Sequence, residues 1–249
     1  MNKLSTILNK AVLSAAKSCA SIAANSASIV RNNQPKMPEA VKDLRKFWSV
    51  HWANRIAQAI ADRQFKRGNI SRENIPIITF GYVVLFDIIT ALLTVTVTGA
   101  VLGCTWQAIF YGIAFIPLRI YAGGFHFENT FVCLSVSTVI DVTAVVVIAN
   151  ASSIPLTALL VCLFPAVAVI WLLSPIETPN KPLDEMERKV YGRRSKIISG
   201  LYFIVAVFLY FVGASSFAAA ICTATTYVAL LVLVGNAKNN LSSRKTKNK

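Results

Sequence analysis

One stretch of the chain brings side chains of reactive type close together. It reads Arg119-Ile-Tyr-Ala-Gly123-Gly124-Phe-His126-Phe-Glu128-Asn129-Thr130-Phe-Val-Cys133, and it holds one of only 2 histidines. An imidazole and a thiol are the parts of a general base and a nucleophile. In one continuous helix, residues seven apart share a face but stand about 10 Å apart along the axis. Proton transfer needs about 2.6–3.2 Å, so a catalytic pair of His126 and Cys133 requires a bend. Gly123 and Gly124 permit one. Asn129 or Thr130 is a good N-cap for a following helix, which would then carry Cys133 in its first turn. The positive end of a helix, with an imidazolium nearby, favours a thiolate there. The backbone amides of Gly123 and Gly124 are candidates for binding an oxyanion. The plainer reading is that Cys133 is a small packing residue, like Cys104, Cys162 and Cys222 in their apolar runs, and that His126 bonds a carbonyl. A third catalytic member does not stand out. Glu128 suits a helix N-terminus. Asp141 follows Cys133 by eight residues and reads either as an orienter of His126 or as a structurally paired carboxylate. Asp87 lies in another apolar run, where a carboxylate is costly.

The elements that must position these residues are membrane spans. Of 249 residues, 55% are hydrophobic and 14% charged, against about 25% charged in soluble domains, and the mean hydropathy is +0.58. These values exclude a disordered chain and argue against an ordinary soluble enzyme. About 20 apolar residues cross a bilayer as a helix. Six stretches qualify: 77–98, 102–118, 131–149, 154–173, 197–212 and 218–234. The turns Gly99–Gly103, Asn150–Ser153 and Gly213–Phe217 hold no Lys or Arg, so with six spans all 25 basic residues fall on one side. That pattern places both termini in the cytoplasm. The net charge of +14 then faces anionic lipid rather than nucleic acid. Five scattered cysteines without a CxxC pair give neither a disulfide framework nor a metal site, and no cofactor is expected. The expected fold is all-α: a polytopic membrane protein with six transmembrane helices and N-terminal amphipathic interfacial helices.

Two such interfacial helices precede the spans. In residues 1–24, Leu4, Ile7, Leu8, Ala11, Ala15 and Ile22 recur at helical spacing, with Lys3, Lys10 and Lys17 on another face, as in a helix lying in the membrane surface. Asn25–Pro38 has no periodicity and reads as an extended, accessible strip. Over Glu39–Arg67, Val41, Leu44, Trp48, Trp52, Ile56 and Ile60 share a face, and Gly68 is a natural stop.

The segment Arg119–Cys133 resembles the signature of the accessory gene regulator B (AgrB) family, integral-membrane cysteine endopeptidases that process a quorum-sensing peptide precursor. Arg119, Gly124, His126 and Cys133 match its positions, and the run Ser174–Leu183 resembles the family's cytoplasmic loop after span four. The resemblance covers about residues 46–235. It implies a bacterial cell-membrane protein with His126 as general base, Cys133 as nucleophile and Arg119, Gly123 and Gly124 in support. Residues 1–45 resemble AgrD, the family's precursor: an amphipathic helix, a ring peptide and a Pro-containing tail beginning at Gln34-Pro35. The ring residue of such precursors falls here on Ser28, where the usual residue is Cys. That implies a lactone product, or a change that slows ring closure. The chain thus reads as a precursor segment (1–45), an interfacial helix and linker (46–76), a six-helix peptidase domain (77–235) and a basic tail (236–249). The implied cut lies between Asn32 and Asn33. The implied partners are an AgrD-like propeptide, in cis or in trans, and the lipid bilayer, with self-association left open. A six-span transporter and a non-catalytic membrane scaffold are the alternatives.

Overall fold

The computed structural model describes residues 11–18, 52–125, 130–151, 155–177 and 183–247. They are helical almost throughout: α1 (Trp52–Lys66), α2 (Ile75–Val101), α3 (Thr105–Ala122), α4 (Thr130–Ala149), α5 (Leu156–Leu173), α6 (Glu185–Phe211) and α7 (Ser215–Lys247), with a further helical stretch over 11–18. Among the described residues there is no strand, only an isolated bridge between Gly123 and Ile176. Among the described residues five helices, α2 and α4 to α7, are long and apolar enough to cross a membrane. The second expected span forms helix α3, but Trp106, Gln107 and Arg119 within it leave it short of that apolarity.

Two helices extend by ten residues or more beyond the apolar runs that predict them. The run at 197–212 belongs to α6, which begins at Glu185. Asp184 caps it: the Glu187 amide donates to Asp184 Oδ1 at 2.6 Å and the Asp184 amide to Glu187 Oε2 at 3.3 Å. This reciprocal box satisfies two otherwise orphan donors, so the helix starts where the capping pair stands rather than where the apolar residues start. Helix α7 likewise runs on past Gly235 to Lys247.

The chain divides into two compact units, Met1–Ile89 and Thr90–Lys249. In the first, Leu13 and Ala16 pack with Ala57, Ala61, Ile78 and Tyr82. The buried faces differ from the expected stripes. Ala11 and Ile56 are exposed, whereas Leu13, Ala16, Ala57 and Ala61 are buried. Small side chains let helices approach closely, so Ala16, Ala57 and Ala61 sit against protein; of the α1 stripe, Ile56 faces out and Ile60 is half-buried against the same core. Gly68, at φ 72°, ends α1 as its sequence position suggests. The portions of both N-terminal stretches before residue 11, and from residue 19 to residue 51, lie outside the described residues.

In the second unit α7 is the hub, packing against α3, α4, α5 and α6. Its Ala218, Ala220, Ala224, Val228 and Val232 are fully buried, because alanines bring neighbouring backbones close without voids. The outward faces carry large apolar groups instead, among them Ile113, Val161, Phe164, Ile204 and Phe208. A large apolar exterior around a small-residue interior is the pattern of a multi-pass membrane protein.

Candidate active site

Helix α3 ends at Ala122, and the next two residues both take positive φ, 73° at Gly123 and 121° at Gly124. That sharp reversal is the bend that the two glycines were expected to permit, and it ends α3 just before the segment carrying His126. Its cause is local: an L side chain is strained at such angles. There is also no room for one. A Cβ on Gly124 would lie 2.7 Å from Arg119 Nη1 and 2.9 Å from the Leu231 carbonyl oxygen, and one on Gly123 would collide with the backbone of Ile176.

Arg119, in the last turn of α3, closes the bend. Its Nη1 donates to the Gly123 carbonyl and its Nη2 to the Phe125 carbonyl, the latter at 2.6 Å. One planar guanidinium thus holds both ends of the three-residue turn. The group is turned inward, and burial lowers its pKa to about 10, an effect that the adjacent Cys133 opposes through its charge. Arg119 therefore remains a cation at neutral pH and lies within electrostatic reach of Cys133.

Three further contacts fix the turn to the second unit's frame. The Phe125 amide donates to the Leu231 carbonyl of α7 at 3.0 Å, and the Ile176 amide donates to the Ala122 carbonyl at 3.0 Å. Ser174 Oγ donates to the Ala122 carbonyl at 3.3 Å and stands 2.8 Å from the buried Ser195 Oγ of α6. Gly235 makes this possible: a Cβ there would stand 3.0 Å from the Phe125 amide nitrogen and 3.0 Å from Ile176 Cγ2. The two sequence segments singled out, Arg119–Cys133 and the run from Ser174, are therefore joined side by side on α7.

Cys133 is the fourth residue of α4, in its first turn, is half-buried, and forms no disulfide. His126, Glu128 and Asn129 lie outside the described residues, as do Ser28, Asn32 and Asn33. Asp141 has another partner. It is buried on α4 and accepts from the Tyr111 hydroxyl at 3.4 Å, eight residues and about 12 Å of helix rise beyond Cys133. Asp87 is exposed on α2. Among the described residues no cluster of three or more His, Cys, Asp or Glu could hold a metal ion.

The sequence reading did not anticipate Ile176, Leu231 or Gly235. Only Gly235, a glycine inside an apolar helix, carries a signal of close approach. Lys238 lies over the Phe125 ring, 5.0 Å from its centroid. Arg194 lies 5.3 Å from the Tyr121 ring centroid and donates to its hydroxyl at 3.2 Å. The basic side chains of α6 and α7 thus gather at the end of the bundle that holds the glycine turn.

Comparison with known proteins gives the chain's family. The family profile described as "AgrB: Accessory gene regulator B" matches residues 53–233, a span that contains Arg119, the glycine turn and Cys133. AgrB-like protein 2 of Clostridium perfringens (strain 13 / Type A) is 24% identical over 159 residues, covering 61% of this chain and 74% of that protein. No solved structure matches the chain.

Proposed function

We propose, from the premise that this chain belongs to the accessory gene regulator B family, that it is a membrane cysteine endopeptidase cutting and cyclising an AgrD-type propeptide. One observation carries the reading: a cysteine in the first turn of a helix, within charge range of a half-buried arginine that clamps the turn leading to His126. A helix N-terminus and a fixed cation both favour a thiolate over a thiol. In this scheme α3 is the sixth crossing, both termini face the cytoplasm, and the glycine turn lies at the inner membrane face.

Residues 1–45 act as the precursor, with the apolar stripe of the N-terminal segment holding it on the bilayer and so raising its effective concentration at the site. The Cys133 thiolate attacks the Asn32 carbonyl carbon. His126 delivers a proton to the departing Asn33 amine, and a thioester joins Asn32 to Cys133. His126 then removes the Ser28 hydroxyl proton. The Ser28 oxygen displaces Cys133, closing a five-residue lactone and returning the thiolate. Arg119 serves as a positioning residue and as the thiolate's counter-charge.

The test is to express the chain beside a Cys133→Ala version and weigh the products by mass spectrometry. A fragment ending at Asn32 that needs Cys133 supports the reading. A Ser28→Cys version separates a slow ring closure from an inactive enzyme, because a thiol closes the ring faster than a hydroxyl. Intact chain from both the parent and Ser28→Cys refutes peptidase activity on this segment.

A further inference from the structure

Beside the glycine turn, the loop from Ser174 and helices α6 and α7 enclose an open cleft of about 990 Å³. Arg188, Lys189, Arg193 and Lys196 line it, with Glu177, Asn236 and Asn239 opposite. Glu177 is ion-paired to Arg188, and its carbonyl accepts from Asn239 Nδ2 at 2.8 Å. That leaves Lys189, Arg193 and Lys196, which make no ion pair among the described residues. The cleft therefore carries three uncompensated positive charges.

Its position on the helix identifies the occupant. Ile197, Leu201, Ile204 and Phe208 form an outward apolar stripe on α6, each more than half exposed. Stepping back from Ile197 by four residues, one helical turn, reaches Arg193 and then Lys189. The stripe that meets acyl chains thus runs directly into the basic residues, with no protein wall between. Trp171 marks the same level: it is half exposed, and its indole N–H donates to Ser199 Oγ at 3.1 Å, as suits a side chain at a membrane–water interface. Gly192 lets the Ser174–Glu177 loop close over the helix, since a Cβ there would stand 3.2 Å from Pro175 Cδ.

We propose that this cleft binds the phosphate headgroup of an anionic phospholipid, its acyl chains lying along Ile197, Leu201 and Ile204. Basic pockets at the membrane face are suited to such headgroups. The site braces the Ser174–Glu177 loop, whose Ile176 amide is bonded to Ala122. A bound lipid therefore supports the wall of the glycine turn. The binding stands whether or not the chain is a peptidase.

The full chain, purified in detergent, is examined by native mass spectrometry with phosphatidylglycerol, with phosphatidylcholine and with inorganic phosphate. One phosphatidylglycerol is expected to stay bound where phosphatidylcholine does not, and millimolar phosphate is expected not to displace it. Near a charged membrane each basic side chain changes lipid affinity about fivefold, so Lys189→Gln, Arg193→Gln and Lys196→Gln together should lower retention about a hundredfold. The charge-keeping exchange Lys189→Arg, Arg193→Lys, Lys196→Arg should retain the lipid, which distinguishes lost charge from lost folding. Neutralising Arg244, Lys245 and Lys247 instead should leave retention unchanged. Equal retention of the two lipids, an unaffected triple Gln variant, or displacement by inorganic phosphate or by a soluble acidic peptide would each overturn the proposal.

Discussion

Exchanging Arg119 for lysine and for glutamine separates its two tasks, clamping the turn and supplying charge beside Cys133. The guanidinium reaches the Gly123 and Phe125 carbonyls with two different nitrogens. A lysine ammonium is a single point and cannot reproduce that fork, so Arg119→Lys forfeits at least one bond while keeping the cation. A hydrogen bond involving a charged group contributes about 1.5–3 kcal/mol. At about 1.4 kcal/mol per decade, the cleavage rate should fall by roughly 10- to 150-fold if the turn must hold its shape for reaction. Arg119→Gln loses the charge as well and should fall further. Two assays read the parts. Appearance of the Asn32-terminated fragment, followed by mass spectrometry, reports the whole reaction. The iodoacetamide alkylation rate of the Cys133 peptide reports thiolate alone, and peptide mapping keeps it distinct from Cys19, Cys104, Cys162 and Cys222. Alkylation should stay near the parent rate in Arg119→Lys and drop in Arg119→Gln. The pH dependence has a defined sign: burial lowers the Arg119 pKa to about 10, so its charge is present throughout neutral pH. That charge is lost only as pH rises through that value, and alkylation by the parent should show no inflection from Arg119 at lower pH. If Arg119→Gln cleaves within twofold of the parent, or if both variants alkylate at the parent rate, the assigned role of Arg119 is wrong.

Other perturbations test the frame. Gly124→Ala forces a side chain into positive φ and against Arg119 and Leu231. It should cost about 1–3 kcal/mol from backbone strain alone, seen as a lowered Tm in detergent together with reduced cleavage; an unchanged Tm would contradict the packing described. Tyr111→Phe leaves the buried Asp141 without its described partner and should destabilise by about 1–3 kcal/mol while the cleavage rate of the folded fraction holds. Loss of cleavage at intact stability would instead return Asp141 to the catalytic group. Asp184→Ala removes the α6 cap and should cost about 1 kcal/mol, read as a lower Tm, with a neutral result counting against the capping box.

The apolar runs identified the helices of the bundle because twenty uncharged residues have few other stable arrangements in lipid. Helix ends set by polar side chains were less visible. The start of α6 was written in Asp184 and Glu187, not in hydropathy, and α3 fell short of the others in apolarity because it carries Trp106, Gln107 and the turn-clamping Arg119. The bend at Gly123 and Gly124 was legible from residue type, and so was the first-turn position of Cys133. The task of Arg119 was not, because its acceptors are backbone carbonyls, which every sequence has. For the same reason nothing in the chain announced that Ile176 and Leu231 would hold the turn. In the N-terminal helices periodicity marked apolar stripes suited to a membrane surface, and it did not reveal that Leu13, Ala16, Ala57 and Ala61 would be the side chains that pack.

The contacts that anchor the turn to Leu231 and Ile176 run from main chain to main chain. Residue identity at those points is therefore nearly irrelevant to the attachment, provided the glycines stay. Descendants of this chain can thus exchange the side chains around the turn while the scaffold behind them keeps its registration. Variation and constancy are here assigned to different atoms.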